Sequence, residues 1–161
     1  MRYLDKVLLR NVRATLYVDN EPVREEFGEI GFSDRGIEGA VALRMSRDAV
    51  DALIEEKRVK LVLDLKPALT EEVLHERIAR EIAGLQPNEF FGELLRKLVP
   101  KPLVMPLAQE VDIRANCYVG KITEEQITRL VRTLKGLTFP ITDYAPFEYA
   151  VVTAGGGAVT K

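Results

Sequence analysis

The sequence predicts an α+β fold in which a helical segment is inserted into a β lobe. Three observations carry this. Extended, β-branched runs dominate the first third of the 161 residues, helical periodicity dominates the centre, and extended runs return near the end. Segregated runs of this kind argue for α+β rather than for an alternating, parallel βαβ sheet.

The first strands are expected at Val7, Leu9 and Val12 and through Ala14-Thr15-Leu16-Tyr17-Val18. Asp19-Asn20 is a turn pair, so Val23 to Phe32 should return as the second arm of a hairpin. Gly28 and Gly31 within that arm suggest a bulge or a close backbone approach. Ser33-Asp34-Arg35-Gly36-Ile37-Glu38-Gly39 reads as a loop by composition. Ala40, Val41, Leu43, Met45, Ala49, Val50, Leu53 and Ile54 follow at helical spacing, closed by Lys57-Arg58. Val59 to Leu65 then begins as an alternating strand and stops at Lys66-Pro67.

Four helices are predicted in the centre. Thr70 N-caps the first, with Glu71 and Glu72 in its first turn and Val73, Leu74, Ile78 and Ile82 as its apolar face; Gly84 stops it. Phe90, Leu94, Leu95 and Leu98 mark a second helix after Pro87-Asn88. Pro100, Pro102 and Pro106 punctuate a third, in first-turn positions where a missing N–H does no harm. Thr123-Glu124-Glu125-Gln126 is a capping box on a fourth, whose apolar face is Ile127, Leu130, Val131 and Leu134. Strand character returns at Leu137 to Thr142 and at Tyr149 to Thr153. The expected division is a β lobe of residues 1–67 plus 137–161, and a helical insert lobe of residues 68–136.

Composition limits function. Twenty-three Lys+Arg against 25 Asp+Glu leave a net charge of −2, with no basic run, so no nucleic-acid partner is expected. One cysteine and one histidine exclude an internal disulfide and a Cys/His zinc set, and no metal is expected. No apolar run approaches the ~20 residues of a membrane span, and Met1-Arg2-Tyr3-Leu4-Asp5 puts a charge inside what would have to be a signal peptide's apolar region; no membrane association and a cytoplasmic location are expected.

No residue stands out as catalytic. His75 lacks an identifiable nucleophile partner, and Cys117 has no neighbour in sequence to activate its thiol. The adjacent acids Glu25-Glu26, Glu55-Glu56, Glu71-Glu72 and Glu124-Glu125 do not face one another on either a helix or a strand, so they read as solvated charge. Lys57, Arg58 and Lys60 read as a polar strand face. The glycines of Gly36-Ile37-Glu38-Gly39 shape a strand-to-helix turn, with acids where an anion site would need cations. Gly155-Gly156-Gly157 precedes only four residues, so it is no dinucleotide fingerprint and reads locally as a flexible tail.

Three segments together say more: Phe27-Gly28-Glu29-Ile30-Gly31-Phe32-Ser33-Asp34-Arg35-Gly36-Ile37-Glu38-Gly39, Val62-Leu63-Asp64-Leu65-Lys66-Pro67, and Phe147-Glu148-Tyr149-Ala150-Val151-Val152-Thr153-Ala154-Gly155-Gly156. In this order and spacing they resemble the insert region of the BaiN/YhiN-like FAD-dependent oxidoreductases, over nearly the whole chain. Asp34, Glu38 and Ala40 depart from the family's usual His, Ser and Pro, and Gly157 replaces an apolar residue. The resemblance implies a partly open β-barrel, similar to translation-factor barrels, carrying a four-helix lobe. It implies that the chain covers the flavin and shapes the substrate cavity of an FAD-dependent enzyme without being catalytically complete itself. The glycine-rich FAD-binding halves of that family lie on either side of the insert and are not in this sequence. The implied partner is therefore an FAD-binding Rossmann domain, of the same or a companion chain. Thr153, Ala154, Gly155 and Gly156 are the implied cofactor-proximal residues, since small residues allow close backbone approach. The alternative is a stand-alone β-barrel binding or interaction module without enzymatic activity.

Overall fold

The computed structural model describes residues 7–33 and 36–141. These fall into two compact units, one of residues 7–65 with 136–141 and the other Lys66–Lys135.

The first unit is an antiparallel sheet covered by one helix. Its strands are β1 (Val7–Val18), β2 (Glu21–Ser33), β3 (Gly36–Glu38), β4 (Val59–Asp64) and β5 (Leu137–Ile141), in the order β3-β2-β1-β4-β5. Helix α1 spans Ala40–Ile54. Asp19 and Asn20 join β1 to β2 with φ of 52° and 67°. Two left-handed residues in a two-residue loop make the turn whose twist matches that of the strands. The turn is also tied to the residue that precedes β4: the Asp19 N–H donates to the Arg58 carbonyl (2.8 Å), and the Arg58 N–H donates to Asp19 Oδ1 (3.0 Å).

The hairpin register slips between Leu9 and Val12, where Asn11 is left-handed (φ 58°), and again between Leu16 and Tyr17. The extra residue lets both Leu9 and Val12 face inward, at 4% and 2% exposure, although they are three apart. The bulge thus lies on β1, opposite the glycine-bearing stretch of β2 where the sequence suggested it. Gly28 itself is a close approach: a Cβ there would sit 3.3 Å from Val41 of α1. The Ser33–Gly39 segment, expected as a loop, contains a strand. Phe32 pairs with Ile37 and Ser33 with Gly36. Ile37 is fully buried, and this one apolar residue among glycines and charges holds β3 to the sheet.

The sheet is curled. β2 and β5 are separated by β1 and β4, about 14 Å across a flat sheet. Yet the rings of Phe32 on β2 and Phe139 on β5 lie 5.2 Å apart. Ala14, Leu16, Ile30, Leu61 and Leu63 are fully buried on the inner face, and α1 packs on the sheet through Val41, Ala42, Met45 and Ala49. The result is a five-stranded half-barrel in a mixed α+β fold. Pro140 lies in β5, an edge strand among the described residues, where a missing N–H costs no ladder bond.

The second unit contains α2 (Glu71–Ala83), α3 (Phe91–Arg96), α4 (Val104–Val111) and α5 (Glu124–Leu134), with single 3₁₀ turns at Lys101–Leu103 and Val119–Lys121. Local signals set these boundaries. Thr70 accepts from the Val73 N–H (3.1 Å), and Thr123 and Gln126 form a reciprocal capping box. Pro102 and Pro106 stand at or near helix starts, as expected. α2 packs on α5, and α4 on both α3 and α5. Leu74, Ile78, Phe91, Leu94, Leu95, Leu107 and Leu134 are fully buried. Two expected apolar positions differ: Val73 faces out, and Phe91 rather than Phe90 fills the core. Phe90 is instead pinned at the surface by a backbone bridge to Tyr118 and stacks on its ring at 5.9 Å.

Candidate functional site

The expected cofactor-proximal residues Thr153, Ala154, Gly155 and Gly156 lie outside the described residues. The strand expected at Tyr149–Thr153 lies there too.

The barrel unit carries a cleft of about 550 Å³ where β4 begins and β5 ends. Leu53, Val59, Pro140 and Ile141 give it apolar walls, and Lys57, Arg58 and Lys60 rim it. That volume is in the range of small-molecule sites. Glu55 pairs with Lys57 at 2.9 Å and holds its ammonium pKa above the ordinary lysine value, by hydrogen bond and by charge. Lys60 sits over the Tyr17 ring, 5.2 Å from its centroid. The three cations read from sequence as a strand face therefore line a concavity, together with Asn20 and Glu56. Only the pairing of β4 with β5, far apart in sequence, creates it. Ile141 is also the last described residue before the segment leading to Thr153.

Gly39 turns the chain from β3 into α1. It is the N-cap, with φ 102°, and its missing Cβ would lie 3.2 Å from the Glu29 carbonyl. No side chain caps α1. Beside it, Glu26 on β2 accepts from Arg44 Nε at 2.6 Å and from Arg24 Nε at 3.0 Å, and Arg24 also reaches Asp48. The Arg44 hydrogen bond, aided by both cations' charge, holds the Glu26 carboxyl below its ordinary pKa. This network fastens α1 to β2.

In the helical unit His75 Nε2 meets Glu124 Oε1 at 2.6 Å, linking α2 to α5. Glu71, Glu72 and Glu76 line the same shallow cleft with Thr128. The histidine is half-buried and partnered by a carboxylate, an arrangement that joins two helices. Cys117 is half-buried, its Sγ 3.6 Å from the Tyr118 carbonyl. A second cleft of about 500 Å³ lies between α4 and the Ile113–Asn116 segment, with Met105 exposed at its edge. Among the described residues no group of three or more His, Cys, Asp or Glu is arranged to hold a metal, and no helix is long and apolar enough to cross a membrane.

A Rossmann-type dinucleotide site is a crevice at the carboxyl ends of parallel strands, with a glycine-rich turn opening a helix. All four strand pairings described here are antiparallel. The described residues by themselves therefore do not form a Rossmann-type crevice.

The comparison with known families gives a match over residues 6–152, to the family described as HI0933-like protein barrel and H2TH domain. Among curated proteins, the chain is 25% identical over 146 residues to the 3-dehydro-bile acid delta(4,6)-reductase of Clostridium scindens. That alignment covers 91% of this chain and 36% of the relative. The chain thus spans about a third of the length of that curated relative.

Proposed function

Because the chain belongs to the family of HI0933-like barrel and H2TH domains, we propose that it is the insert domain of an FAD-dependent oxidoreductase, catalytically incomplete on its own. This is the family to which the BaiN/YhiN-like resemblance of the three segments pointed. One observation carries the reading: nearly all of this chain aligns with about a third of a protein named as a reductase. In that protein most of the chain lies outside the match, with room for a flavin-binding domain. The antiparallel half-barrel is consistent with this view, since the parallel strands of a Rossmann-type crevice would come from a companion domain.

In this proposal residues 1–67 with 137–161 form the barrel lobe and residues 68–136 the helical lobe. The barrel lobe faces the flavin of the companion Rossmann domain, with Thr153, Ala154, Gly155 and Gly156 against the cofactor. The cleft rimmed by Lys57, Arg58 and Lys60 lies where the chain sets out toward that segment. The substrate cavity would lie between barrel and flavin domain, and the protein would work in the cytoplasm.

Titrating the purified chain with FAD, followed by flavin fluorescence, tests the reading. No saturable equimolar binding is expected. Stoichiometric FAD binding, with reduction of the bound flavin by NAD(P)H, would show the chain to be a complete flavoprotein and overturn it.

A further inference from the structure

The helical unit begins at Lys66 and ends at Lys135, and these two ends touch. Lys135 is the C-cap of α5, and its backbone N–H already bonds to Val131 and Thr133 carbonyls. Its side chain then crosses to the start of the unit. The ammonium donates to the Lys66 carbonyl at 2.9 Å and to the Leu69 carbonyl at 2.5 Å, across 69 and 66 residues of chain. The same Lys66 carbonyl accepts from the Leu69 N–H at 3.1 Å, so the ammonium braces a turn that immediately precedes the Thr70 N-cap. Lys135 is half-buried, and its bonds are partly shielded from water.

We infer that Lys135 is a clasp that closes the helical unit on itself, fixing the start of α2 to the end of α5. The chemistry suits lysine. A flexible four-carbon stem ending in a compact ammonium with several donors can satisfy two carbonyls three residues apart. Hydrogen bonds from a charged donor are stronger than neutral ones, and here they offset the entropy of joining the ends of a long segment. The two carbonyls and the ammonium that joins them all belong to Lys66–Lys135. Losing these two bonds should open the base of this unit and leave the hairpin of β1 and β2 paired.

Hydrogen exchange on the full chain tests this, comparing Lys135→Met with the parent sequence and with Lys121→Met, an exposed lysine of the same unit. In Lys135→Met the amides of Leu69 and Leu74 should exchange about tenfold to a hundredfold faster, the size expected for losing hydrogen bonds to a charged donor. The amides of Leu16 and Arg24 should be unchanged, and Lys121→Met should alter neither set. Lys135→Arg keeps the charge but not the geometry. It should raise exchange at the same two amides by a smaller factor, and it serves where the methionine variant is too unstable to study. Unchanged exchange at Leu69 and Leu74 would overturn the clasp, as would an equal rise throughout both units.

Discussion

The two units are held by different kinds of interaction. The half-barrel depends on pairing between residues far apart in sequence. β5 joins β4 across the whole of the helical unit, and β4 joins β1 across the whole of β2, β3 and α1. The helical unit sets its individual helices by local signals, although α2 packs on α5 and Lys135 joins its two ends. Its helices are short, from 6 to 13 residues, and two of them are started by threonine caps three residues from their partners. Each unit is therefore vulnerable in its own way: the sheet to a lost inner contact, the helices to a lost cap or a lost shared core residue.

The largest effects should come from the two cores. Phe91→Ala should cost the helical unit about 3–5 kcal/mol, and Leu16→Ala should cost the half-barrel about 2–5 kcal/mol, since both side chains are fully buried. Denaturant unfolding followed by hydrogen exchange checks whether each loss stays within its own unit. Equal loss of protection in both units from either variant would refute the distinction between them.

Gly39→Ala comes next. The left-handed φ and the nearby Glu29 carbonyl leave no relaxed place for a Cβ, so about 1–3 kcal/mol should be lost from the half-barrel, measured as a lower denaturant midpoint. Thr123→Ala removes one half of the capping box and should cost about 1 kcal/mol, confined to α5.

The smallest effect is electrostatic. The Glu26 carboxyl titrates below its ordinary value because Arg44 and Arg24 hold the charged form. Its stabilisation is therefore present above the unfolded-state pKa near 4.5 and fades as pH falls through the lowered folded value. Glu26→Gln should remove up to about 1 kcal/mol at neutral pH, since the pair is only partly shielded, and should flatten this acid limb of the stability curve.

The same contrast explains what could be read from the sequence. Thr70, Thr123, Gln126 and the helix-start prolines act within a few residues, so their signals are local and were legible. The Asp19-Asn20 turn was legible for the same reason. β3 was not, because Ile37 becomes a strand residue only by pairing with Phe32, and its glycine-rich, charged surroundings look like a loop. Phe90 and Phe91 are adjacent and chemically identical; the bridge from Phe90 to the distant Tyr118 decides which is buried. The cleft rimmed by Lys57, Arg58 and Lys60 needs Pro140 and Ile141 for its far wall, and no local pattern announces that.

The proposed flavin contact is tested most directly in the longer flavoprotein that the proposal predicts, by measuring the bound FAD per protein after Gly155→Val. A bulky side chain at the proposed contact should strip most of the flavin while circular dichroism of the half-barrel and helices stays unchanged. Full retention of FAD by that variant would contradict the placement of Thr153-Ala154-Gly155-Gly156 against the cofactor.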